Sequence, residues 1–77
     1  MKIKFNQLNL MLKKEFIALE SKCIRLREEG HSYYDITCYL NDYIYSLSDC
    51  VNGDFLKAVY ELEEHYHSRY VERELEN

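Results

Sequence analysis

Apolar residues recur along this chain at three and four positions, and the recurrence is reset twice. Phe5, Leu8, Leu12, Phe16, Leu19, Cys23 and Leu26 fall on one side of a helical wheel, the stripe of a helix packed against a core. Asn6 can cap this helix, which the pattern extends over about 6–29. Gly30 suits the left-handed residue that closes a helix. Ser32 then caps the next, with Asp35 at capping-box spacing. The second helix is expected over about 33–51, with Ile36, Tyr39, Leu40, Tyr43, Ile44, Leu47 and Val51 inward. Asn52-Gly53 marks another turn. Asp54 can cap a third helix over about 54–74, with Phe55, Val59, Leu62, Tyr66 and Tyr70 inward. The charged tail, ERELEN, is expected to fray. No Pro and only two Gly interrupt the pattern. Three helices joined by tight turns predict an all-α fold, a small antiparallel three-helix bundle forming one domain over 1–77.

Two further lines of residues do not fit the core. Leu10, Ile17 and Ile24 stand seven apart, nearly opposite the first stripe. A helix apolar on two sides ordinarily touches two things. Either the third helix covers a wide stripe, or this line is a dimer or partner face that completes the bundle, joined by Tyr60, His67 and Val71 on the far side of the third helix. On the second helix Tyr34, Cys38, Asn41, Asp42, Tyr45 and Asp49 line up outward. Tyrosine gives large amphipathic contact area at protein interfaces, and flanking carboxylates suit a partner rich in Arg or Lys.

Charge sharpens this reading. The net charge of −4 hides an asymmetry: residues 1–30 carry seven Lys/Arg against four Glu, and residues 31–77 carry three against ten Asp/Glu. A basic first helix beside an acidic third would help fix their pairing. The acidic second half disfavours nucleic acid, whose affinity rests on phosphate contacts. Three cysteines, Cys23, Cys38 and Cys50, without a C-x-x-C pair, argue against a disulfide scaffold or a structural zinc site. They read as thiols in a reducing cytoplasm. No apolar run approaches the length of a membrane span, and the basic N-terminus lacks the unbroken apolar run and cleavage site of a signal peptide. A core from 77 residues contributes roughly 3–5 kcal/mol of net stability, so association is a natural supplement.

One stretch resembles a known family. Leu26, Glu29-Gly30, Ser32, Ile36 and Leu40, within LREEGHSYYDITCYL, are similar in spacing to the first two helices of helix-turn-helix domains of resolvases and small transcription regulators. The resemblance implies a DNA-binding regulator whose next helix reads base edges. The chain departs from that pattern at Thr37 and Asn41, where the family usually has Ala and Gly. It continues as DYIYSLSDCVNGD, with three Asp and no Lys or Arg.

Other chemistry finds little footing. Glu28/His31 and Glu64/His67 have the E-x-x-H spacing of di-iron bundles, but His31 lies beyond the helix-closing glycine and no further inward glutamates accompany them. Glu61/His65 and Glu63/His67, four apart, read as surface pairs. Nucleophilic catalysis would require Cys or Ser held beside a His and an orienting carboxylate; no glycine-rich phosphate loop occurs, and a three-helix domain this small offers little room for a concave pocket. The expectation is a non-enzyme without metal or cofactor: a small acidic protein-binding module, an inhibitor or adaptor of the kind phages and mobile elements make, which occludes a basic surface of a host protein in the host cytoplasm. The alternatives are a homodimeric structural or regulatory subunit and a degenerate helix-turn-helix DNA binder.

Overall fold

The computed structural model describes residues 10–47 and 52–75. Within them the chain is all-α: α1 (Leu10–Glu28), α2 (Tyr33–Ser46) and α3 (Gly53–Tyr70), followed by a π-helical turn, Val71–Leu75. The three helices pack together as a bundle. α2 and α3 share the longest seam, while α1 touches both more sparingly. The C-terminal half of α1 lies against the start of α2 and the end of α3, since Arg27 stands over the Tyr33 ring and shares a groove with Arg69. The chain therefore runs up, down and up.

The first expected stripe forms the core. Phe16, Leu19 and Cys23 of α1 meet Ile36 and Leu40 of α2 and Phe55, Ala58, Val59, Leu62 and Tyr66 of α3, with Leu12, Leu26, Tyr33, Tyr43, Ile44 and Leu47 packed around them. Thr37 is the one buried polar residue among those described. Its hydroxyl donates to the Tyr33 carbonyl at 2.9 Å, so its burial leaves no unpaired group. Tyr39, expected inward, is instead 37% exposed, because the core-facing arc of α2 is already filled by Ile36 and Leu40. Phe5, Asn6 and Leu8 lie outside the described residues.

The corner between α1 and α2 is built from local chemistry. Gly30 has φ of 99°. The His31 N–H donates to the Leu26 carbonyl and the Gly30 N–H to the Arg27 carbonyl, both at 3.0 Å, the paired bonds of a Schellman closure. Arg27 Nη1 reaches over the corner to the His31 carbonyl at 2.7 Å. Its guanidinium sits 4.1 Å from the Tyr33 ring centroid, close enough for a cation–π attraction. Ser32 caps α2, its Oγ accepting the Asp35 N–H at 3.0 Å.

Three expectations are corrected. α2 ends at Ser46 rather than near 51: Leu47 is extended, with ψ of 142°, and the Ser46 hydroxyl donates to the Tyr43 carbonyl at 2.6 Å. A hydroxyl that bonds its own turn competes with helix continuation. Val51 lies outside the described residues. α3 is capped by Asn52, not Asp54: Asn52 Oδ1 accepts the Asp54 and Phe55 N–H groups at 2.8 and 3.0 Å. Asp54 is left in the first turn, where its charge complements the helix dipole. The tail does not fray at Glu74, whose carboxylate accepts the N–H groups of Tyr33 and Tyr34 at 2.8 and 3.2 Å.

Candidate protein-binding face

The N-terminal turn of α2 presents three N–H groups with no partner inside the helix. Glu74 takes those of Tyr33 and Tyr34, and Ser32 takes that of Asp35. A carboxylate there also meets the positive end of the helix dipole. Glu74 stands in the π-helical turn that follows α3, four residues beyond Tyr70. Above this cap the Tyr34 ring packs against Tyr70, centroids 5.2 Å apart, and Tyr33 against Tyr66 at 6.3 Å. His65 meets the edge of Tyr66 at 5.1 Å, and His67 lies 6.1 Å from Tyr70. One end of the bundle is thus an aromatic cluster.

The outward face of α2 rises from this cluster. Tyr34 is half-exposed but held by its ring contact with Tyr70, and the Cys38 thiol one turn on, by hydrogen bonding to the phenol, raises it above the usual tyrosine range. Cys38 is half-buried and Asn41 and Asp42 are exposed. Tyr45 is 87% exposed. Asp49 lies outside the described residues. Asp35, one turn before Cys38, adds an exposed carboxylate to the same face, with His31 Nδ1 at 3.6 Å from it. α2 contains two Asp and no Lys or Arg. The face is therefore a strip of Tyr34, Asp35, Asn41, Asp42 and Tyr45 on a helix without positive charge. It offers hydrogen-bond acceptors and exposed aromatic area.

The second set of candidates divides between two surfaces. Leu10 is 68%, Ile17 52% and Ile24 50% exposed, so α3 does not cover the second stripe of α1. Ile24 shares a groove of about 350 Å³ with Arg27, Glu28, Tyr33, His65, Tyr66 and Arg69. Tyr60 and His67 line a different depression, with Lys57, Glu61, Glu63 and Glu64, and Val71 is half-buried in the π-helical turn. His31 lies outside the helices, as its place after Gly30 implies. Among the described residues no three of His, Cys, Asp and Glu come together to hold a metal ion. Among the described residues no helix is long and apolar enough to cross a membrane.

Periodicity places Asn41, Asp42 and Tyr45 outward, and they are exposed. Glu74 carries no signal in the sequence beyond being a carboxylate in a charged tail, and Asp35 reads there only as a capping residue. Comparison with known proteins finds no family model, no curated protein and no solved structure that matches the chain.

Proposed function

We propose that the chain is a small acidic protein-binding module, an inhibitor or adaptor whose α2 face covers a basic surface of a partner protein. Tyr45 carries the reading: an aromatic side chain 87% exposed, one turn from Asp42, on a helix with no positive charge. Exposed aromatic area beside carboxylates matches the composition of hot spots that engage Arg-rich surfaces. A partner that itself binds nucleic acid fits best, because carboxylates on a rigid helix compete with phosphates for the same cations. Proteins of this size and charge are of the kind phages and mobile elements use against host nucleases or regulators. In that setting the protein works in the host cytoplasm by occlusion, without chemistry of its own. The free thiols Cys23 and Cys38 are compatible with a reducing compartment.

The test leaves Tyr34 alone, since its ring packs on Tyr70 of α3 and so supports the bundle. Affinity capture with the wild type is compared with Tyr45→Ala/Asp42→Lys, whose helicity is checked by circular dichroism. A partner retained by the wild type and lost by the double variant is expected, with retention weakened as DNA or heparin is added. Equal capture by both proteins would sink the reading.

A further inference from the structure

On α1, Leu10, Ile17 and Ile24 form an exposed apolar line with a repeat of seven. A repeat of seven keeps the three residues in one line along the helix, as in the seams along which helices pair, here one apolar position per heptad with charged positions beside it. The line is also symmetric about its middle member, because Leu10 and Ile24 lie equally far from Ile17. Toward α3 it is flanked by Lys13, Glu20 and Arg27, again seven apart. Glu20 and Arg27 act on Tyr66 from that side, and Lys13 and Glu20 are only half-exposed.

We propose that α1 pairs antiparallel with α1 of a second copy of this chain, about a two-fold axis at Ile17. In that arrangement Ile17 meets itself and Leu10 meets Ile24 of the second copy. Lys13 faces Glu20 of the second copy, and symmetry makes the pair twice. The charges select this arrangement over its competitors. A parallel pair sets Lys13 beside Lys13 and Glu20 beside Glu20. An antiparallel pair slipped by half a repeat sets Lys13 against Lys14. A slip the other way sets Lys14 against Glu28 but Lys13 against Arg27, so only the two-fold at Ile17 brings opposite charges together beside the apolar line with no like pair opposing them. The proposal does not rest on the α2 face, which lies on another helix.

Sedimentation equilibrium of the intact protein at low salt tests it. The wild type should be dimeric, and Lys13→Glu should weaken the dimer about tenfold by turning two attractions into two repulsions. Lys13→Glu/Glu20→Lys should recover most of that loss. Circular dichroism confirms that each variant is folded. Should the double variant not fold, air oxidation of Ile17→Cys replaces it. A cysteine on the two-fold axis forms an intermolecular disulfide with its own copy, whereas Leu10→Cys, which faces Ile24, does so more slowly. A wild type that stays monomeric at millimolar concentration overturns the proposal. So does a charge swap that fails to recover association, or equal cross-linking at positions 10 and 17.

Discussion

The carboxylate of Glu74 accepts the N–H of Tyr33 at 2.8 Å across 41 positions of chain. The last described turn of the protein thus closes the first turn of α2, and the two ends of the α2–α3 hairpin hold each other. Removing the carboxylate leaves two N–H groups of α2 to water. Glu74→Ala should lower the unfolding free energy by about 1 kcal/mol, the usual effect of losing an N-cap acceptor. Urea denaturation would show it as a lower midpoint with an unchanged slope. Truncation after Arg73 should match the substitution. If either variant is as stable as the wild type, the long-range cap contributes nothing.

The two glycines should respond to alanine with opposite signs. Gly30 has φ of 99° and nothing within 4 Å of an added Cβ. The penalty of Gly30→Ala is therefore conformational, about 1 kcal/mol of destabilisation. Gly53 also has open space where a Cβ would go, but it stands in the first turn of α3 with an ordinary backbone. There alanine should stabilise by about 0.5–1 kcal/mol by reducing the freedom of the unfolded chain. Thermal melts of the two variants should move in opposite directions.

These features differ in how far a linear reading could see them. The Gly30–Ser32 corner was legible because all its determinants lie in one short stretch, Leu26 to Asp35. The core positions Phe16, Cys23, Ile36, Leu40, Phe55 and Leu62 were legible because a helix repeats its burial every three or four positions. The end of α2 was not. Apolar phase continues through Leu47 and Val51, and the break shows only in the backbone, where Leu47 is extended beside a Ser46 hydroxyl that bonds its own turn. The candidate face was half legible: Asp42 and Tyr45 follow from phase alone. The anchoring of Tyr34 depends on Tyr70 at the end of α3, and the capping of the turn beneath it on Glu74 in the π-helical turn, 40 positions along the chain. Periodicity within one helix carries no information about what its neighbour brings.

Alkaline pH should destabilise the bundle through Cys23. The thiol is fully buried, and burial, with Glu20 nearby, pushes it from 9.0 to about 11. The native state thus holds the proton more tightly than the unfolded chain does. Stability from this group is intact below pH 9 and is lost as pH rises toward 11, at about 1.4 kcal/mol per pH unit. Tyr66 and Tyr43, both raised from 10.0 mainly by burial, extend the loss above pH 10. Denaturation midpoints measured from pH 8 to 11 should trace this decline. Cys23→Ala should be less stable at pH 8 but flatter between 9 and 10, and an identical slope in the two proteins would refute the assignment.

The two apolar stripes should separate under alanine substitution. Leu40 is fully buried at the meeting of α2 with its neighbours, so Leu40→Ala removes its contacts and leaves a cavity, at about 2–5 kcal/mol. In a domain whose total stability is of the same order, that variant should be largely unfolded at room temperature. Ile17 is 52% exposed, and in a single copy Ile17→Ala should change stability by less than about 0.5 kcal/mol. The comparison requires dilution, because any partner on the α1 stripe links its binding energy to folding. Melts at micromolar concentration should therefore separate Leu40→Ala from wild type and leave Ile17→Ala beside it. At millimolar concentration the wild type should pull ahead of Ile17→Ala. A midpoint gap for Ile17→Ala that does not grow with concentration would mean the residue supports the fold of the single chain and not an association.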